Sequence, residues 1–226
     1  ILHGLFGQSD NWNTLAKQFS ENRFHVFAVD QRNHGLSPHN QEMNFEAMAE
    51  DVSGFLKEHR LDQPILLGHS MGGKTVLRFE LDFPGVASKL IVADIAARAY
   101  PPHHQDVLEA LHSVDVETVK TRREAEEILS KRISDFGTKQ FLLKNLYWKK
   151  DQQLAWRFNL PVIGEQYDRI TEAIPFYHSA SPLLVVRGEK SKYVQEDDIV
   201  DFKNRFSNCV VTTIKGAGHW VHAEKP

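Results

Sequence analysis

One cysteine, Cys209, stands in 226 residues. The chain therefore cannot close an internal disulfide, which excludes a disulfide-stapled secreted scaffold. No apolar run reaches the roughly 18 residues that a membrane-spanning helix needs. A strong charge of either sign is also missing: 27 lysines and arginines against 30 aspartates and glutamates leave a formal net charge of −3. A generic binder of nucleic acid or anionic membrane concentrates positive charge, so neither is expected as a partner. Internal repeats and low-complexity tracts are absent too. What is present is 41% hydrophobic and 25% charged residues, enough apolar content for a core and too much for a disordered chain. The length suits one large domain or one domain carrying an insertion. The expected location is cytoplasmic, and the oligomeric state is not legible.

The chain opens on Ile1-Leu2 without methionine and closes on Glu224-Lys225-Pro226, where proline would suit the first turn of a further helix. These ends read as those of a fragment of a longer protein.

Short β-branched runs alternate with helical periodicity through the first half. Strands are expected at His25–Asp30, Pro64–Gly68 and Lys89–Asp94, with helices over 45–56 and 74–83. Such alternation predicts a parallel sheet covered by helices on both faces, with functional residues at the carboxyl ends of its strands. The next strand comes only at Pro182–Arg187, after roughly 85 residues where a connection usually takes about 2 to 15. That stretch reads as all-helical, with helices over 105–114, 123–133, 139–146 and 166–174. A helix over 194–206 and a strand at Val210–Ile214 then resume the pattern. The expected organisation is an α/β core from 1–100 and 180–226, with a helical cap at 101–179.

Gly68-His69-Ser70-Met71-Gly72 fits G-x-S-x-G between a strand and a helix, the context of a serine lifted above a sheet on a sharp turn. The same stretch, Gly68 to Thr75, also spells the G-x-x-x-x-G-K-[ST] loop that cradles phosphates, and Leu90–Asp94 imitates the magnesium-binding strand of an NTPase. The rest of the chain favours the serine. His3-Gly4-Leu5-Phe6-Gly7 follows a strand where backbone amides of Leu5 and Met71 could converge on one oxyanion. Gly216-Ala217-Gly218-His219 follows the last strand, and a nucleotide enzyme has no use for a histidine on that turn.

These pieces resemble an α/β-hydrolase, and within it the ybfF-type bacterial esterases and their mitochondrial relatives. The matching stretches are 3–12 (HGLFGQSDNW), 30–39 (DQRNHGLSPH), 68–74 (GHSMGGK), 92–96 (VADIA), 187–194 (RGEKSKYV) and 216–226 (GAGHWVHAEKP). The resemblance implies a mostly parallel sheet flanked by helices, an inserted cap over an acyl crevice, and further segments at both ends. It implies hydrolysis of carboxylic esters, with acyl thioesters such as acyl-CoA as a second substrate class. C–C bond hydrolases and perhydrolases share the same catalytic groups and remain open as alternatives. No cofactor or metal is needed.

Within that frame Ser70 is the nucleophile and His219 the base. Many relatives take the acid from a G-x-x-D loop, but here Gly188-Glu189-Lys190-Ser191 places serine at that position. Serine cannot stabilise an imidazolium by charge, so Asp94 is the expected acid, with Glu189, Asp197 and Asp198 as competitors and Ser191 as a second partner of His219. Phe6, Trp156 and Tyr147 are candidates for contact with the acyl chain. Arg122, Arg123, Lys149 and Lys150 could meet coenzyme A phosphates. Arg32, His34 and Ser37 read as bracing, His69 as structural, and His222 as a turn residue.

Overall fold

The computed structural model describes residues 1–102 and 104–226; His103, inside the expected cap, lies outside them. Four parallel strands form the central sheet in the order β1 (Ile65–His69), β2 (Lys89–Ala93), β5 (Leu183–Gly188) and β6 (Cys209–Ile214). Apolar side chains alternate along β1, β2 and β5 and supply Leu66, Leu90, Val92, Leu183 and Val185 to the core. Leu2 extends the sheet past β1, bridging Gly68 on one side and Val29 on the other.

The strand expected at His25–Asp30 is reduced to that one bridge at Val29. Its neighbour is the short segment Ile1–Leu2: the Val29 N–H donates to the Ile1 carbonyl, and Ile1 N to the Phe27 carbonyl.

On the faces, α1 (Asn13–Glu21) follows a short 3-10 turn, and α2 (Phe45–Glu58) packs against α3 (Met71–Asp82). Asn44 caps α2 by accepting the Ala47 N–H at 2.8 Å, and the helix buries Phe45, Met48, Ala49, Val52 and Leu56 along one stripe. The helix α3 starts three residues earlier than its periodicity predicts, directly after Ser70. Late in the chain α8 (Glu196–Arg205) precedes β6, and α9 (Val221–Glu224) is a single turn.

Between β2 and β5 the chain forms α4 (Gln105–His112), α5 (Arg122–Leu129), α6 (Phe136–Leu143) and α7 (Leu160–Glu165). Thr121 and Asp135 cap α5 and α6 through the N–H groups of Glu124 and Thr138. The all-helical expectation fails in two places. Leu146–Trp148 and Leu154–Trp156 pair as an antiparallel hairpin, β3 and β4, where a helix was expected to run to residue 146. The helix expected over 166–174 is only a 3-10 turn, Tyr167–Ile170, while α7 forms just before it around Pro161 in its first turn. Three-residue strands are too short to show a period of two. Among the described residues no helix is long and apolar enough to cross a membrane.

Candidate active site

Parallel register sets the first two groups side by side. His69 pairs with Ala93 and Ala93 with Val186, so the residues that follow, Ser70 and Asp94, leave adjacent strand ends at one level. The Ser70 N–H donates to the Ala93 carbonyl at 3.0 Å and the Asp94 N–H to that of Val186 at 2.7 Å. Both residues hold left-handed backbone, φ 53° at Ser70 and 52° at Asp94. For non-glycine residues this costs on the order of 1–3 kcal/mol, a cost that persists where the surroundings over-determine the conformation, as they commonly do at functional sites. The turn at Ser70 closes only because its neighbours lack side chains: a Cβ on Gly68 would lie 2.0 Å from the Gly72 carbonyl oxygen, and one on Gly72 would lie 2.4 Å from that of Leu2.

Asp94 is fully buried and every oxygen is used. Oδ1 accepts the Gly188 N–H at 2.9 Å, and Oδ2 lies 2.8 Å from His219 Nδ1. The carboxylate therefore fixes the tautomer, with the proton on Nδ1 and Nε2 left as a base. The His219 backbone is held from below, where His69 Nε2–H donates to its carbonyl at 2.9 Å. Glu189 accepts the Gly216 N–H at 2.8 Å and Glu224 that of Gly218 at 2.7 Å, which shapes the turn carrying the histidine. Above, the Tyr193 ring stacks on the imidazole at 3.8 Å and 17°. Among the described residues no hydrogen bond joins Ser70 Oγ to His219 Nε2; contacts of this kind commonly tighten only in the Michaelis complex.

Ser191 stands differently from its expected role. It does not bond His219; its hydroxyl donates to Asp94 Oδ2, the oxygen that also meets the histidine, because the loop after β5 brings it over the carboxylate. Of the competing acids, Glu189 braces Gly216, and Asp198 pairs with Arg98 at 3.0 Å and caps α8. None of them meets His219 among the described residues.

The loop His3–Gly7 lies opposite. His3 is buried, and burial pushes its pKa down to about 4. The Gln31 N–H donates to its Nε2 at 3.0 Å, so its Nδ1–H donates to the Gly4 carbonyl at 2.8 Å. That carbonyl shares a peptide with the Leu5 N–H, which is thereby aimed the other way. The N–H groups of Leu5 and Met71 meet no acceptor among the described residues, and both residues border the same small cavity as Ser70. The pair has the disposition of an oxyanion hole at the amino end of α3. Three braces behave as expected. Arg32 forks onto Asp51 at 2.6 and 2.9 Å, Ser37 donates to the Asp30 carbonyl, and His34 accepts the Phe6 N–H at 3.1 Å.

The cavity beside Ser70 measures about 30 Å3 and is walled by Leu5, Met71, Ile95, Tyr167, Ile170 and Lys74, among others. None of Phe6, Trp156 and Tyr147 lines it. Phe6 packs its ring edge-on against Phe158, on which Trp156 stacks, and Tyr147 lies under the Arg157 guanidinium. These aromatics pack among themselves, and the apolar wall of the cavity beside Ser70 is made instead by Tyr167, Ile170 and Ile95. A larger cleft of about 860 Å3, lined by Phe24, Phe27, Phe55 and Leu61, holds neither Ser70, Asp94 nor His219.

Lys74 lines the Ser70 cavity, and among the described residues no carboxylate forms an ion pair with it. Its ammonium donates to the carbonyls of Thr171 and Glu172 and faces the rings of Tyr100 and Phe45 at 5.1 and 5.6 Å. Burial lowers its pKa to about 7. That position also rules out the phosphate-loop reading, since the lysine points into protein and Thr75 donates to Gln31 and Met71. Arg122 donates to the carbonyls of Leu143 and Leu146, and Arg123 pairs with Glu127 on the surface. His222 sits in the single helical turn α9 and stacks on Trp12 at 4.3 Å. Lys74, Tyr193 and Tyr167 were not singled out from sequence. A lysine four residues past the serine, on a buried helix, was the one available signal.

Comparisons with known proteins bear on the fold and the family. The profile of the alpha/beta hydrolase fold matches residues 1–226. Esterase YbfF of Escherichia coli (strain K12) is 38% identical over 229 residues, covering all of this chain and 87% of that protein. The sn-1-specific diacylglycerol lipase ABHD11 of Mus musculus is 36% identical over 237 residues, covering all of this chain and 76% of that protein. A marine microorganism esterase of solved structure superposes with a TM-score of 0.96 at 40% identity, over 100% of this chain and 89% of that one. A serine on a strand–helix elbow, an acid–histidine pair at neighbouring strand ends and a match along the whole length lead to one family: the chain is an α/β-hydrolase.

Proposed function

We propose that this hydrolase cleaves small-molecule carboxylic esters through an acyl-enzyme on Ser70. His219 Nε2 takes the hydroxyl proton as Ser70 Oγ attacks the carbonyl carbon, and the N–H groups of Leu5 and Met71 hold the oxyanion. The tetrahedral adduct collapses with transfer of the His219 proton to the leaving alkoxide. Water, deprotonated by His219, then attacks the acyl carbon, and the second adduct expels Ser70 Oγ, which takes the proton back from His219 as the acid is released. Asp94 stabilises the imidazolium in both half-reactions. The observation that carries this reading is the buried Asp94 carboxylate on His219 Nδ1, one strand away from the strained Ser70 turn. Residues 101–179 act as a cap, with Tyr167, Ile170 and Thr171 walling the cavity beside Ser70. The lone unpaired Cys209 fits a reducing compartment such as the cytoplasm.

The test is intact-protein and peptide mass spectrometry after acid quench during turnover of p-nitrophenyl butyrate. The expected result is a butyryl increment on the peptide carrying Ser70 and no turnover by Ser70→Ala. Wild-type turnover by Ser70→Ala would refute the mechanism.

A further inference from the structure

Phe6 is a non-glycine residue at φ 58°, between the Leu5 amide and Gly7. Both of its peptide groups are gripped by side chains from distant parts of the chain. Its N–H donates to His34 Nε2 at 3.1 Å, and the His34 Nδ1–H donates in turn to the Arg32 carbonyl at 3.0 Å. Its carbonyl accepts from Asn145 Nδ2 at 2.8 Å, across 139 residues of sequence. Asn145 is 1% exposed and sits on the turn between α6 and β3, inside the segment 101–179. The orientation of its amide is fixed chemically. Nδ2 faces three carbonyls, that of Phe6 at the shortest distance and those of Phe141 and Leu142 at 3.3 Å, and only an NH2 group has hydrogens to offer there. Oδ1 has no partner among the described residues, so the amide is there for its donors. Arg122 holds the carbonyls of Leu143 and Leu146 on either side and keeps the turn in place.

We infer that Asn145 is a positioning residue through which the inserted segment completes the oxyanion hole. Fixing the Phe6 N–H and carbonyl together fixes both backbone torsions of Phe6, which this side chain would otherwise leave for an unstrained region. The Leu5 N–H sits one residue upstream, already aimed by the His3–Gly4 bond, and cannot keep its direction if the Leu5–Phe6 peptide turns. The insertion then acts on the transition state as well as on the shape of the crevice. This inference rests on the ester-hydrolase reading above.

Asn145→Leu keeps the heavy-atom branching and removes the donors, and Asn145→Asp keeps the size and replaces the donor with an acceptor. Each is compared with Leu129→Ala, which loosens the buried face of α5 without touching Phe6. Three quantities are measured: kcat and KM for p-nitrophenyl butyrate per titrated active site, the inhibition constant of an alkyl boronic acid that forms a tetrahedral adduct on Ser70, and thermal stability. Whole removal of an oxyanion donor costs on the order of 100- to 1,000-fold, and a displaced donor is expected to cost about tenfold or more. Both Asn145 variants should lose kcat and boronate affinity by matching factors of about that size, with KM changed by less than about twofold. Leu129→Ala should melt earlier and keep its boronate affinity. Unchanged boronate affinity in the folded Asn145 variants, or an equal loss in Leu129→Ala, overturns the inference. If one Asn145 variant does not fold, the other decides. A wild type that neither hydrolyses the ester nor binds the boronate would bring down the ester-hydrolase reading itself, a different outcome from active Asn145 variants.

Discussion

Asp94 carries two bonds that no neighbouring acid can take over. Its Oδ1 closes the start of the loop after β5 through Gly188, and its Oδ2 orients His219. Asp94→Asn is expected to keep the fold but lower kcat by about 10²- to 10⁴-fold, since the imidazolium loses its counter-charge and the tautomer is no longer enforced. Ser191→Ala removes a neutral donor from the carboxylate and should cost only about tenfold, in line with a hydrogen bond of roughly 1–1.5 kcal/mol. Glu189→Gln should stay near wild type, because the Gln carbonyl still accepts the Gly216 N–H. Steady-state kinetics on folded, titrated enzyme checks all three. An active Asp94→Asn beside an inactive Glu189→Gln would move the acid to the later loop. Ser70, Asp94 and His219 were legible in the sequence because each sits in a local pattern of turn glycines or at a strand end. The role of Ser191 was not, since which oxygen its hydroxyl meets depends on how a loop folds over a carboxylate.

At the scale of elements, α3 delivers the serine and also ties the core to the insertion. Gly72→Ala would push a methyl group into the Leu2 carbonyl, so α3 must retreat from the sheet. Overpacking of this kind costs about 1–3 kcal/mol, and urea unfolding should report it together with a drop in kcat. Two residues along, Lys74 holds the Thr171–Glu172 backbone over the cavity. Lys74→Met removes those donors, worth about 1 kcal/mol each, and frees the wall at Thr171. The ratio of kcat/KM for p-nitrophenyl octanoate over acetate should then rise about fivefold; an unchanged ratio would show that this wall does not set chain length. The parallel core was legible from alternating apolar runs. The cavity wall was not, because it is assembled from Leu5, Ile95, Tyr167 and Tyr193, which share no sequence signal and meet only in the fold. The β3–β4 hairpin escaped for a simpler reason: three residues per strand carry no readable period.

Across the whole molecule, buried histidines make stability depend on pH. Burial lowers the pKa of His3 to about 4, His34 to about 3 and His222 to about 4, all from an ordinary value near 6.5. Between those limits the unfolded chain binds protons that the folded protein refuses, so stability is full above about pH 6.5 and falls as the pH drops toward 4. The urea midpoint should therefore be lower at pH 5 than at pH 7.5. His222→Phe keeps the stack on Trp12 and removes one titrating group, so its midpoint should fall less over the same interval. Equal midpoints at the two pH values for the wild type would contradict this account. Replacing residues 101–179 by a short linker probes the largest unit. The capless protein should retain the Ser70 elbow but change its acyl-length profile, provided it stays monodisperse once the apolar face beneath is exposed.

The activated serine is the claim on which the rest depends, and a fluorophosphonate probe reads it directly. An unactivated serine attacks phosphorus too slowly to be labelled, so a single modified peptide marks the nucleophile. The account predicts stoichiometric labelling at Ser70, lost in Ser70→Ala and strongly slowed in Asp94→Asn. No labelling of the folded wild-type protein, or labelling that persists in Ser70→Ala, would contradict it.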